Sequence, residues 1–252
     1  MFRPLIIVVR QSMRWDGPEE LARQNLYGKP VVRLIINPRV QAFWKRYFRL
    51  PFHEFRRRVR DIARNNLQAV AGSRLFLSVA AFNQALRAGQ IPPGSLVVPI
   101  DDDDWLAPDL GSLLQPPAGS GLLWQSSRVA CNRPVRDIDK GRPLCRTNNS
   151  AITLGYLAGL PNHDRSMVLA YHWEAGKRLA GKLGYLPIPG SVIVRHPASI
   201  TQLSMLARRY LNRPRAFRQY LPTIRHRLPI PEGLEWCRPY YTRLLALYRE
   251  AV

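Results

Sequence analysis

The sequence predicts an α/β protein built on a mostly parallel sheet with helices covering its faces. Three observations carry that expectation. Apolar runs rich in Val and Ile recur at residues 5–9 (LIIVV), 31–36 (VVRLII) and 95–100 (SLVVPI), bounded by charge or turn residues as buried strands are. Helical spacing separates them, above all over residues 52–70, where Phe52, Phe55, Val59, Ile62, Leu67 and Val70 recur mostly at steps of three or four. The 252 residues are 46% hydrophobic and 22% charged, which suits one compact domain of the larger kind and is too apolar for wholesale disorder.

In chain order, residues 5–9 form the first strand, with Arg10 at its end. Gly17-Pro18-Glu19-Glu20 ahead of Leu21 and Ala22 starts a short helix, its acids in the first turn where the helix dipole favours them. Residues 31–36 are a second strand ending in Asn37-Pro38. The helix over 52–70 carries Arg56, Arg57, Arg58, Arg60 and Arg64 as a basic face. A further helix at 78–88 closes on Gly89, the residue that helix C-termini favour. Ile91-Pro92-Pro93-Gly94 turns the chain into the strand at 95–100. Beyond it we expect a strand at 121–130, a short helix at 149–158 begun by an Asn or Ser cap, a strand at 191–194, and helices at 202–211 and 235–250.

Charge narrows the partners. Lys and Arg number 38 against 17 Asp and Glu, a formal +21 with pI near 11.0, and residues 175–231 contain no acid at all. Arginine dominates, and its planar fork grips phosphate, so nucleic acid, anionic lipid head groups and nucleotide diphosphates are the open classes. An Arg-rich composition with no functional cause is the competing explanation. The longest aliphatic run, residues 5–9, is far short of the roughly 20 residues that cross a bilayer, and it lacks a secretory cleavage pattern, so the cytoplasm is expected. Cys131, Cys145 and Cys237 have spacings of neither a disulfide framework nor a zinc site.

Directly after the strand at 95–100 come Asp101, Asp102, Asp103 and Asp104, then Trp105-Leu106-Ala107-Pro108-Asp109, while no acid occurs between Ile62 and Ile100. Carboxylates roughly 5–6 Å apart repel by on the order of 3 kcal/mol at an effective dielectric of about 20, so the run needs a cation or protons. One use is a divalent site for Mg2+ or Mn2+, hard ions that share one or two carboxylates with substrate phosphates. The other is a solvated acidic turn in which one Asp caps the helix starting near Pro108. Trp105 and Trp124 read as core.

The stretch VVPIDDDDWLAPD resembles the Asp-x-Asp signature of GT-A fold glycosyltransferases, which use nucleotide-sugar donors. Phe82-Asn83-Gln84-Ala85-Leu86-Arg87-Ala88-Gly89 is similar to the helix that precedes the motif, often with an Asn and an Ala-x-Gly end. Residues 147–151 (TNNSA) and 192–199 (VIVRHPAS) are similar to segments of the rhamnosyltransferase group of bacterial glycosyltransferases. The specific part spans residues 83–109 and the looser part extends to about residue 200. The resemblance implies a GT-A, Rossmann-like domain over residues 1–200, a basic helical extension over 201–252, and a metal-dependent hexosyltransferase. Its substrates would be a nucleotide-diphosphate-sugar donor and a hydroxyl of a glycan or lipid-linked acceptor. Carried onto this chain, Asp101 and Asp103 are the outer carboxylates, with Asp103 the direct ligand of Mn2+ or Mg2+. Asp102 faces the nucleotide ribose, Asp104 braces or caps, and a late histidine, His196, serves the metal or diphosphate. Arg10, by its place at the strand end, and Asn83 complete the donor set. The chain departs from the pattern in two places: no short polar motif follows the first strand, and Phe82 stands where an Arg often precedes the Asn.

An inverting transfer needs a base for the acceptor hydroxyl. Acids between Asp109 and Glu232 are few, and Asp164, in Asn162-His163-Asp164-Arg165, is the first choice with Glu174 second; a salt bridge with Arg165 or a helix cap is the structural alternative for Asp164. Two other functions compete. A nucleic-acid-binding protein would use the basic segment 175–231, although no recognition signature is present and unmetallated aspartates repel phosphate. A metal-dependent nucleotidyl- or phosphotransferase would share the carboxylates but has no P-loop here. For the enzyme, the Arg-rich C-terminal region would rest against an anionic membrane at its inner face, or against an acidic acceptor.

Overall fold

The computed structural model describes residues 5–11, 38–114, 119–130, 133–137, 145–146, 148–220, 230 and 232–252. The helix start expected near Gly17 and the strand expected at 31–36 lie outside the described residues.

The strands are β1 (Ile6–Gln11), β2 (Ser73–Phe76), β3 (Leu96–Asp101), β4 (Trp105–Leu106), β5 (Gly121–Ala130), β6 (Arg133–Asp137), β7 (Ser150–Thr153) and β8 (Leu183–Arg195). They form one sheet in the order β2-β1-β3-β7-β5-β8-β4, with β6 paired to β5. The mostly parallel sheet expected is instead mixed. β1 pairs in parallel with β2 and β3, and β5 with β8, whereas β7 runs antiparallel to both β3 and β5, and β4 and β6 oppose β8 and β5. Two reversals restore direction, so β1, β2, β3, β5 and β8 all point the same way. Their carboxyl ends share one edge.

The short helix expected over 149–158 divides. Ser150–Thr153 fills the slot between β3 and β5, with Ile152 opposite both Val97 and Gly121, and only then does the helix Leu154–Ala158 begin, capped by the Thr153 hydroxyl accepting from the Tyr156 N–H. β8 is far longer than the four residues expected. Pro187 and Pro189 have no N–H to give a ladder, and the sheet absorbs them at irregularities opposite Trp124–Ser126.

Alternation along β1 and β3 builds two cores. Ile6, Val8, Leu96, Val98 and Ile100 face a cluster completed by Leu67, Leu106, Leu110 and Trp124. Ile7, Val9 and Val97 face the other side, against Phe82 of a helix Val79–Arg87 and Val168 of a helix Asn162–Ala170. The first of those helices is capped by the Ser78 hydroxyl, which accepts from the Ala81 N–H, and it closes as expected at Gly89, with φ 66°. A third core joins the sheet residues Trp105, Val129, Val192 and Val194 to five helices: α1 (Pro38–Tyr47), α2 (Phe52–Gln68), α8 (Ile200–Tyr210), α9 (Pro214–Tyr220) and α10 (Arg238–Ala251). With these labels the Val79–Arg87 helix is α3, Leu110–Leu113 α4, Leu154–Ala158 α5, Asn162–Ala170 α6 and His172–Arg178 α7. The helix expected from residue 235 opens as a 3-10 turn, Glu235–Cys237, before α10. Among the described residues no helix is long and apolar enough to cross a membrane.

Candidate functional site

Arg10 is the last residue but one of β1, Asp101 ends β3, and Arg195 ends β8 with His196 directly after it, so the topology delivers three of the expected site segments to one edge of the sheet. In the β1/β3 register Arg10 lies opposite Ile100 and Gln11 opposite Asp101. Ligands of α/β sheets collect at this edge.

The four aspartates divide by environment. They form a tight turn, the Asp104 N–H donating to the Asp101 carbonyl at 3.3 Å, which carries the chain from β3 into β4. Asp104 is 2% exposed, and its Oδ1 accepts from the Val194 N–H at 2.8 Å, which pins the turn to β8. Its other oxygen is buried with no hydrogen-bond partner. Burial, then the neighbouring charges of Asp103 and Asp101, push its carboxyl well above the ordinary range. Asp102 is also buried. Its carboxylate Oδ2 lies 2.6 Å from Arg60 Nε, a charge pair whose N–H is turned off the hydrogen-bond line, and its carbonyl accepts from Arg10 Nη2 at 3.1 Å. Asp101 and Asp103 are the two half-exposed members.

Asp103 meets His196, whose Nε2 lies 2.9 Å from Asp103 Oδ2 across 93 residues of chain. Burial pushes the Asp103 carboxyl up, but the hydrogen bond and electrostatic attraction from His196 and the guanidiniums of Arg56 and Arg195 together carry it below the ordinary range, so it stands ionised. The His196 ring is 1% exposed, lies 6.0 Å from the Phe55 ring, and keeps Nδ1 buried with no hydrogen-bond partner.

The arginines around this turn are the part that sequence reasoning missed. Arg57 and Arg64 are exposed, as a basic helix face requires, but Arg56 is buried and Arg60 nearly so, both turned onto the aspartates from α2. Burial lowers the affinity of Arg10 and Arg56 for their protons, and Asp102, then Asp103, offset part of it. The signal was present: Arg56, Arg60 and Arg64 repeat at four-residue steps, which on a helix is one line of side chains. The compensation that the aspartate run demanded is thus partly protein, supplied by Arg10, Arg56, Arg60 and Arg195.

The other expected residues lie apart. Asn83 of α3 is buried, its amide donating to Ser166 Oγ and accepting from Arg165 Nε, both at 2.9 Å, so it ties α3 to α6. Asp164 receives both Arg178 Nη atoms at 3.1 Å, and Glu174 lies 3.9 Å from Arg178 Nε and 3.5 Å from Lys177 Nζ. Arg178, not the adjacent Arg165, is the partner of Asp164. Among the described residues neither acid bonds to the aspartate turn. Trp105 and Trp124 are core, as expected. Asn149, within the TNNSA segment, holds backbone, donating to the Trp124 carbonyl and accepting from the Arg146 N–H.

For a divalent ion Asp103 Oδ2 and His196 Nε2 are suitable donor types, a carboxylate and an imidazole, but Nε2 would have to give up its hydrogen bond to Asp103, and the proton in it, to turn a lone pair to the ion. Among the described residues no three His, Cys, Asp or Glu side chains converge to enclose an ion unaided, so any such ion would share its shell with substrate phosphates, as magnesium does. Comparison with protein-family models, curated proteins and solved structures returns no match.

Proposed function

We propose that this chain is a metal-dependent glycosyltransferase of the GT-A type, moving a hexosyl unit from a nucleotide-diphosphate-sugar donor to a hydroxyl of a glycan or lipid-linked acceptor. The observation that carries the reading is the meeting of Asp103 with His196 at the shared carboxyl edge of β3 and β8, beside Arg10 at the end of β1. The VVPIDDDDWLAPD motif accounts for the first residue and the strand-end histidine for the second. Asp103 and His196 would hold the ion, with Asp101 on the same turn as the further carboxylate. Bound there, a divalent cation would neutralise the charge that develops on the departing nucleotide diphosphate.

The chain's own residues have separable parts. Arg56 and Arg195 lie close enough to Asp103 to depress its pKa, and they keep the edge hospitable to a diphosphate. Asp102, braced by Arg60 and Arg10, and Asp104, tied to Val194, hold the turn rigid so that Asp101 and Asp103 are presented at a fixed place. Asp164 would have to exchange Arg178 for an acceptor hydroxyl to act as the base, and Glu174 shares the same arginine.

The test is thermal stability with UDP, GDP and TDP, each with manganese or with EDTA, on the wild type, Asp103→Asn and His196→Ala. A nucleotide at about 100 times its Kd stabilises by about 2.7 kcal/mol, a melting shift of about 5–10 °C for a chain of this size. A manganese-dependent shift present in the wild type and absent in both variants is expected. Wild-type protein indifferent to every diphosphate with manganese present would sink the reading.

A further inference from the structure

Among the helices around the third core, α1, α8 and α9 carry charges of a single sign. On α1 and at its exit, Lys45, Arg46 and Arg49 are exposed. On α8 and α9 and between them, Arg208, Arg209, Arg213, Arg215 and Arg218 are exposed. Residues 38–49 and 200–220 contain no Asp or Glu, so neither segment supplies an internal counter-charge.

These helices are locked side by side. Phe217 of α9 meets Phe43 and Tyr47 of α1 at ring distances of 5.1 and 4.3 Å and Tyr210 of α8 at 5.3 Å, and the Tyr47 hydroxyl donates to the Tyr210 carbonyl at 3.3 Å. The guanidiniums of Arg46 and Arg209 sit 5.8 and 5.3 Å from the rings of those two tyrosines, which brings cations of α1 and α8 to the same place. Holding so many like charges on a rigid surface costs self-repulsion that an anionic partner would remove.

The polyanion that fits is planar and partly apolar. Met205 stands 45% exposed on α8, three and four residues before Arg208 and Arg209 and so on their face of the helix. An exposed apolar side chain beside arginines can enter the head-group boundary while the guanidiniums meet anionic lipid. Binding of single-stranded nucleic acid calls for exposed rings on which bases stack, and here Phe43, Tyr210 and Phe217 are turned inward. We infer that α1, α8 and α9 together form a docking surface for the anionic head groups of a lipid bilayer. The inference is independent of the reaction the protein catalyses.

Co-sedimentation of the full chain with phosphatidylcholine vesicles, with and without phosphatidylserine, tests it. Each cation near an anionic bilayer strengthens binding by about fivefold, so replacing Arg208, Arg213, Arg215 and Arg218 by Gln is expected to weaken binding to serine-containing vesicles by at least about 100-fold. A control replaces Arg74, Arg87, Lys177 and Lys182, which lie outside these helices, and is expected to bind as the wild type does; circular dichroism verifies that both variants are folded. Met205→Ser is expected to reduce the binding that survives high salt. Equal loss in the control, equal binding to pure phosphatidylcholine, or no wild-type vesicle binding alongside RNA binding that the four Arg→Gln changes abolish would each overturn the inference.

Discussion

Asn66 is the side chain through which α2 holds the strand that follows the aspartates. It is fully buried, donating from Nδ2 to the Leu106 carbonyl at 2.9 Å and accepting at Oδ1 from the Leu106 N–H at 2.8 Å. Asn66→Ala strands a buried donor and a buried acceptor at about 1–3 kcal/mol each, a loss of about 2–6 kcal/mol. Against a typical total of about 5–15 kcal/mol this leaves a folded protein that melts on the order of 10 °C lower. Urea unfolding followed by tryptophan fluorescence reads it, since Trp105 adjoins the lost bonds. Asn66→Asp sharpens the test. Its carboxylate still accepts from the Leu106 N–H, but the second oxygen faces a carbonyl and needs a proton, so burial and that carbonyl raise its folded pKa above the unfolded value near 4. Stability from the protonated form is then complete below the unfolded pKa and is lost as pH rises through the folded one. Asn66→Asp should be no better than Asn66→Ala at pH 7 and should overtake it near pH 4. A loss below about 1 kcal/mol in Asn66→Ala, or a gap between the variants that ignores pH, refutes the account.

Gly121→Ala would place a Cβ 2.2 Å from the Ala151 carbonyl oxygen and 2.9 Å from a Leu183 methyl, in a slot closed by two neighbouring strands; a loss above about 3 kcal/mol or insoluble expression is expected, and near-normal melting would contradict the register. Arg60→Met leaves Asp102 buried without its 2.6 Å partner and should cost about 3 kcal/mol in urea unfolding, with Asp102→Asn added in the same chain restoring most of it. Burial pushes the Cys237 thiol up to about 12. Its stabilising protonation is intact below the unfolded thiol value of about 8.5 and is lost as pH rises toward 12, by at most about 1.4 kcal/mol per pH unit. Cys237→Ala should flatten that alkaline slope, and the native thiol should resist alkylation at pH 9.

Much of the scaffold could be read from patterning. β1 and β3 stood out because both faces of each strand are buried, which leaves unbroken Val and Ile runs, and α3 because Ser78 and Gly89 mark its ends. α1, β2, α6 and α7 escaped: α1 begins directly on Pro38 and buries only Val40, Phe43 and Trp44, and β2 has a single buried residue, Phe76. β7 looked helical because its strand character comes from a slot between β3 and β5 that the local sequence does not encode. At the site, Asp103, His196 and Arg10 were legible as strand-end residues. The second half of the charge balance was not, because Arg56 and Arg60 resemble solvent-facing helix residues until the helix is placed against the turn. Asn83 and Asp164 were chosen for their polar neighbourhoods, and that polarity holds α3 to α6 and α6 to α7.

Synthesis from the amino terminus gives the site a history. Arg10, Arg56 and Arg60 leave the ribosome before the four acids they neutralise, so the acidic turn can be shielded as soon as it is made, while the imidazole that meets Asp103 arrives 93 residues later. Domains assembled during translation form their local parts first. A chain halted before β8 would therefore carry the arginine side of the brace but neither the Val194 N–H that pins Asp104 nor the imidazole that meets Asp103, so the last long strand closes both contacts at once.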